Sequence, residues 1–507
     1  MKSLETKKKS IYNLTSELMY QCAAIGFGII IPRMFLLNIG SETNGLVSSV
    51  TQILTYVALV EAGIGAAALQ ALYKPINNND RFEINGIISA MRRFYDKVGG
   101  VYLSILLLLA FIFPFTVKTD ISYFTIVFVV IVSGIPSVIS YFFQARYAIF
   151  LNANGKAYIS KNIITITFVA TSTLKIIFLY SGFGVVLVQG ISIVGTFIQA
   201  FYIELYIRRH YNWLSTTDIP NFDSIKQSKN ALIHQIAWIV TSNTDVIILT
   251  YFAGLKTVSV YTIYKLLLSV VDGIVNSILN TIHYILGKKY QESKEEYIKY
   301  FDIIEVLIVT LSFSLFLIAR TLILPFLRIY TSGIEDVNYI DNILSYLFVI
   351  AHILVEARSP SWETISVAGN FKETQKVSVY EAVINLSVSL LLVKFMNIYG
   401  VLLGTILAST YRLVRMVEYS NKDILKRSTI NTYRRYIIST ILFLLLSLLI
   451  NNFFGLLSFN EYYQIFAFAV VLIIIVVPLF LFTTLIFEKN VRNNLLYLIK
   501  NLRSKEN

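Results

Sequence analysis

Lys265, Ser269, Asp272, Asn276, Asn280 and His283 interrupt a stretch otherwise rich in Leu, Ile and Val. At about 100° per residue a helix through them gathers all six within about 80° of arc, so one face is polar over nearly its whole length. The preceding apolar segment repeats the theme, with His234, Trp238, Thr241, Ser242 and Asp245 within about 100°. Two such stripes offer ammonium, carboxylate, amide, hydroxyl and imidazole groups. Together these can bind an anionic, hydroxyl-rich solute and can exchange a proton or a small cation. Hydrogen bonding between helices would also place Ser, Thr and Asn at contacts, but a Lys, two Asp and two His together favour the lining of a cavity. Counted from a turn at Gly254, Asp245 and Lys265 lie ~14 and ~17 Å down their helices at 1.5 Å per residue. An ion pair between them is expected, since it would offset much of the cost of burying either charge.

Arg33, Glu61 and Arg320 are the other ionised groups set in apolar surroundings that join this list of cavity candidates. Arg33 and Arg320 could instead reach headgroups. Lys175 and Lys394 near outer ends, and Arg412 and Arg415 near an inner end, are expected to snorkel. Catalytic constellations are missing: the chain has no Gly-x-x-x-x-Gly-Lys-Ser/Thr, no His-Glu-x-x-His and no Gly-x-Ser-x-Gly. The single cysteine, Cys22, excludes a disulfide framework or a cysteine metal site. The expectation is a protein that is not an enzyme and carries neither cofactor nor metal. Without an ATP site, uphill transport would draw on the membrane potential or an ion gradient, with coupling to H+ or Na+ left open.

The elements that must position these groups are membrane helices. Only 14% of the 507 residues are charged, 56% are hydrophobic and mean hydropathy is +0.67, which excludes a water-soluble domain. About 20 apolar residues cross the ~30 Å hydrocarbon layer. Breaking the chain at polar clusters gives about fourteen spans, near 11–37, 44–73, 98–114, 122–145, 162–180, 185–207, 231–252, 258–285, 301–326, 342–357, 377–395, 400–420, 436–451 and 462–487. The first apolar run is too long for the core of a cleaved signal. With the N-terminus cytoplasmic, 33 of the 43 Lys and Arg fall on inward segments and only Lys118, Lys256 and Arg328 on outward ones. That asymmetry satisfies the positive-inside rule and places both termini in the cytoplasm. It also assigns the net charge of +13 to a membrane surface rather than to nucleic acid, for which no binding motif is present.

The longest inward polar stretch, 208–230, divides the first twelve spans into six-helix lobes at 1–207 and 231–420, leaving 421–507 as two additional helices and a cytoplasmic tail. A parallel repeat fits the spacing: Glu61 follows Arg33 by 28 residues across a turn at Gly40, and Asp272 follows Asp245 by 27 across Gly254. Gly400 and Gly404 are read as close-packing positions. Outward loops are short, which disfavours a membrane-embedded glycan polymerase or acyltransferase.

Several segments resemble the polysaccharide-transport branch, the Wzx-type repeat-unit flippases, of the multidrug/oligosaccharidyl-lipid/polysaccharide exporter superfamily. They are IPRMFLLNIGSETNGLVSSV at 31–50, EAGIGAAALQ at 61–70, TSNTDVIILTYFAGLKTVSVYTIYKLL at 241–267, GNFKETQKVSVYEAVINLSVSLLL at 369–392 and YGVLLGTILASTYRLV at 399–414. Leu46-Val47 departs from the pattern, which has an aromatic residue soon after the glycine at Gly45. The resemblance implies an all-α integral membrane protein with a MATE-like fold: two pseudo-symmetric six-helix lobes around a central cavity, with two C-terminal helices added. It implies alternating-access flipping of a polyprenyl-diphosphate-linked oligosaccharide to the outer leaflet of a bacterial plasma membrane. Arg33, Lys265 and Arg320 would contact diphosphate or acidic sugar; Glu61, Asp245 and Asp272 would act as counter-ions or cation-coupling groups. Membrane lipids, a polysaccharide polymerase and glycosyltransferases are the partners so implied. A cation-coupled multidrug antiporter of the same superfamily is the rival reading.

Overall fold

The computed structural model describes residues 2–61, 64–225, 229–454 and 459–496, and among them the chain is helical, without strands. In order the helices are α1 (Lys2–Ile39), α2 (Ser41–Val57), α3 (Ile64–Asn78), α4 (Arg81–Thr116), α5 (Tyr123–Ile139), α6 (Ala145–Ala153), α7 (Ala157–Tyr180), α8 (Val185–His210), α9 (Lys229–Phe252), α10 (Leu255–Glu292), α11 (Lys294–Tyr330), α12 (Asn342–Ala357), α13 (Ser359–Ala368), α14 (Phe371–Met396), α15 (Ile398–Glu418), α16 (Ile430–Phe454) and α17 (Tyr462–Phe487). Thirteen described stretches are long and apolar enough to cross a membrane, and a shorter apolar helix, Ile236–Phe252, joins them. The thirteen correspond to thirteen of the about fourteen segments expected from composition; the other, 231–252, is met by the shorter helix. The protein is an all-α membrane protein.

The expected segment 44–73 is not one helix. α2 ends at Val57, a tight 3-10 turn runs from Ala58 to Glu61, and α3 starts afresh at Ile64. Conversely, several stretches expected as inward loops are helical, because α4, α10 and α11 hold 36, 38 and 37 residues. At 1.5 Å per residue each is ~55 Å long and overruns a ~30 Å hydrocarbon layer. Gly40 (φ 92°) and Gly254 (φ 85°) both occupy the left-handed region that favours glycine, each between two helices. The two turns paired on sequence spacing thus each turn on a glycine with positive φ.

By its internal contacts the chain divides into two compact units, 1–262 and 263–507. In the first, α1 packs on α7, α5 on α4 and α8, and α2 on α9. The α2–α9 contact is stitched by hydroxyls: Ser49 with Thr250 at 2.6 Å and Tyr56 with Thr244 at 2.5 Å. Asn44 of α2 adds a bond to Ser259 at 2.8 Å. Aromatic side chains fill the middle of the unit, Tyr95 stacking on Tyr141 with centroids 6.1 Å apart. The segment after α8 folds back on the start of α4, where Ser215 N donates to Asn85 Oδ1 at 3.0 Å and Asn221 N to the Gly86 carbonyl at 3.0 Å.

In the second unit α11 is the central element. It buries residues on every side, from Tyr297 through Phe316 to Tyr330, as expected of a helix apolar all round, and α12, α16 and α17 pack against it. α14 and α15 pair closely. A Cβ added at Gly400 would stand 2.6 Å from the Leu392 carbonyl group and one at Gly404 2.9 Å from Ser389 N, so both glycines are required by the approach of the two backbones.

The last two helices are tied in by charge. Asp302 and Glu305 on α11, Arg427, Arg434 and Arg435, and Glu488 form a cluster of three acids and three bases. Arg435, only 1% exposed, pairs with Asp302 at 2.8 Å, with Glu488 at 2.9 Å, and with Glu305. Thr432 donates to Glu305 at 2.8 Å. On sequence these arginines belonged to an inward loop; with acids brought from α11 and the end of α17, Arg435 is buried and Arg427 half-buried, while Arg434 stays exposed.

Candidate functional site

The polar face expected on α10 is met in the second unit by a second polar row on α12 and α13. Within α10, Lys265 is half-buried and Asn276 exposed, and they lie ~15 and ~32 Å from Leu255 along the helix axis. Asp272 stands between them at ~26 Å. Facing it, His352 Nδ1 lies 2.8 and 3.0 Å from the two Asp272 carboxylate oxygens. One turn along α12, Glu356 accepts from Asn276 Nδ2 at 3.2 Å, while the same amide donates to the Asp272 carbonyl at 2.9 Å. About two turns further, His283 bonds Glu363 of α13.

The spacing follows from helix periodicity. Asp272, Asn276 and His283 share one face of α10, and His352, Glu356 and Glu363 recur at four and seven residues along the α12–α13 run. Two matched stripes therefore meet rung by rung. His352, Glu356 and Glu363 are the residues that sequence reasoning missed. Their own periodicity was the available signal, masked because a break was placed at 357, where α12 passes into α13 with Arg358 between them.

Glu356 is the group with capacity left over. It is 2% exposed, and its Oε2 has no hydrogen-bond partner among the described residues. A carboxylate with a spare oxygen, beside an Asp–His pair and an amide, can take up or release a proton. A row of this kind also supplies acceptors and donors for a hydroxyl-rich solute. Among the described residues no three His, Cys, Asp or Glu side chains converge as metal ligands.

The remaining candidates are placed as follows. Arg320 of α11 is 7% exposed: Nη2 donates to Asn342 Oδ1 at 3.1 Å, Nη1 bonds Asn451, and the guanidinium lies 4.1 Å from the centre of the Tyr346 ring. Glu61 closes the 3-10 turn of the first unit and accepts from Tyr95 Oη at 2.8 Å. Asp245, 2% exposed, accepts from Tyr261 Oη at 2.8 Å. Thr241 turns its hydroxyl to the Ala237 carbonyl of its own helix at 2.6 Å. Arg33 is half-buried near the end of α1. The side chains of His234 and Asn280 lie outside the described residues.

Arg412 overturns the expectation that it snorkels. It is 7% exposed and pairs with one oxygen of Glu381, whose other oxygen pairs with Arg358 at 2.6 Å. The Arg412 guanidinium also sits 5.8 Å from the Trp362 ring centre. A carboxylate on α14, ten residues past the first residue of the helix, provides what a headgroup would have supplied.

No family model matches the sequence, and no curated protein does. Solved structures of the same fold do. The lipid II flippase MurJ, in an inward closed conformation, aligns with a TM-score of 0.67 over 95% of this chain and 99% of its own, at 12% identity. A multidrug resistance MATE family transporter of the MOP superfamily, inward-facing, aligns at 0.58 over 79% of this chain and 94% of its own, at 12% identity. A MATE transporter of Vibrio cholerae aligns at 0.53 over 84% and 98%, at 13% identity. At such identities the likeness is one of fold.

Proposed function

We propose that this protein is a flippase that moves a polyprenyl-diphosphate-linked oligosaccharide from the cytoplasmic to the outer leaflet of a bacterial plasma membrane by alternating access, for assembly of a surface polysaccharide. The observation that carries the reading is the laddered polar face of α10 with α12 and α13. Lys265 and Asp272, both half-buried, stand ~15 and ~26 Å from Leu255, within the ~30 Å hydrocarbon depth; a charge facing hydrocarbon there would cost about 3 kcal/mol, so the face is built for water or a polar solute. A glycan repeat unit offers the hydroxyls to engage it, Lys265 supplies a cation for the diphosphate, and the lipid tail stays in the bilayer. Agreement of fold over nearly the full length of the lipid II flippase MurJ supports a lipid-linked substrate.

The test is the sidedness of lipid-linked units in cells lacking the protein and any paralogue. Intact units trapped in the cytoplasmic leaflet, with surface glycan lost, are expected. Normal surface glycan with a full outer-leaflet pool would reject the flippase. Failure to make the unit at all would favour a membrane-embedded enzyme. The Asp272–His352–Glu356 group favours one second reading, a cation-coupled multidrug antiporter, in which those carboxylates exchange a proton; drug efflux that collapses with the proton gradient, alongside normal glycan export, would select it.

A further inference from the structure

On the first unit, away from every residue named above as a candidate, α7 and α8 leave an apolar groove of about 650 Å³. Its walls include Ile166, Leu174 and Phe178 of α7 and Leu187 and Gly190 of α8. Thr171 also lines it, but its hydroxyl is spent on the Thr167 carbonyl of its own helix at 2.8 Å, so the wall it presents is apolar. Gly190 forms part of the floor: a Cβ built there would meet nothing within 4 Å. Ile166 (69% exposed) and Leu187 (57%) leave the groove open along its length.

Two observations say what covers it. The first is length. The lining runs from Ile166 to Phe178, ~18 Å of helix, close to the ~15 Å depth of one leaflet in a ~30 Å hydrocarbon core. That suits an acyl chain of a single leaflet and is too short for a long isoprenoid. The second is charge. Lys175 does not line the groove but stands at its edge on α7, half-buried, next in sequence to the lining residue Leu174 and five positions before the helix ends at Tyr180. Among the described residues it has neither a counter-ion nor a hydrogen-bond partner. At ~7.5 Å from the helix end, its side chain can reach the interfacial level just above the groove.

We propose that the α7–α8 groove binds one anionic glycerophospholipid of the leaflet on the side of the 181–184 turn, with an acyl chain lying along Ile166–Phe178 and Gly190 and the phosphate held by Lys175. The lipid completes the wall that Gly190 leaves open and supplies the charge that Lys175 lacks. The site is independent of the transport reading.

The experiment uses the full chain in phosphatidylcholine vesicles containing a phosphatidylglycerol with a photoactivatable group in its acyl chain, followed by mapping of labelled peptides. Labelling concentrated within 166–198 is expected. Gly190→Phe and, from the facing wall, Leu174→Trp should each lower it about tenfold, which ~1.4 kcal/mol of lost affinity produces, with helicity and melting temperature checked for both. Lys175→Gln should keep labelling by a matched phosphatidylcholine probe while removing the preference for phosphatidylglycerol. Even labelling along all lipid-facing helices, or labelling that neither filling variant reduces in a folded protein, would overturn the site. Retained phosphatidylglycerol preference in Lys175→Gln would overturn the headgroup contact. Displacement by a polyprenyl phosphate but not by excess phosphatidylglycerol would overturn the assignment of the occupant.

Discussion

The imidazole of His352 lies 2.8 Å from the carboxylate of Asp272, binding the middle of α12 to the polar face of α10. The contact joins two residues 80 positions apart. It marks the centre of a ladder whose neighbouring rungs are Asn276 with Glu356 and His283 with Glu363.

Asp272→Asn and His352→Asn should each impair translocation without preventing membrane insertion, because the substituted residues remain polar and the helices keep their apolar faces. Since the two groups share one bond, the double variant should lose less than the sum of the single losses, with a coupling of about 0.5–3 kcal/mol. Sidedness of lipid-linked units read in all three strains checks this; strictly additive losses would separate the two residues.

Asp245 is 2% exposed and accepts a hydrogen bond from Tyr261. Asp245→Leu should remove that acceptor from the buried Tyr261 hydroxyl and lower stability by about 1–3 kcal/mol, read as a lower melting temperature of the purified protein. An unchanged melting temperature would contradict this account.

The acid–base cluster beneath α16 and α17 should behave as a structural lock. Glu305→Gln leaves Arg435 short of one of its three acids; loss of one partner from a buried pair costs about 3–5 kcal/mol, read as a lower melting temperature of the purified protein. Glu305→Leu with Arg435→Met should be milder than Glu305→Gln alone, because no charge remains uncompensated between that pair. A larger fall in the double variant would contradict this account.

Both termini are expected on the cytoplasmic side. Reporter fusions at Asn44 and Asn507 test it: the first site should report an external position and the second an internal one. An external C-terminus would remove the even number of crossings on which the orientation rests.

The number and position of the membrane helices were legible in the sequence because a span is a local, additive property. Twenty apolar residues must cross the bilayer as a helix whatever lies beside them, and the positive-inside pattern is likewise a sum over loops. The polar face of α10 was legible for a similar reason: helical period alone sets which residues share a side, so Lys265, Asp272 and Asn276 could be grouped without knowing what they meet. What they meet was decided by tertiary structure. His352, Glu356, Arg412 and Arg435 look like isolated polar residues along the chain, and their roles depend on partners such as Asp272 and Glu381, tens of residues away, or Glu305, 130 away. In a low-dielectric interior a charge takes whichever partner the packing brings within about 3 Å, and that distance is fixed by which helices pack side by side, not by any property of the charged residue itself.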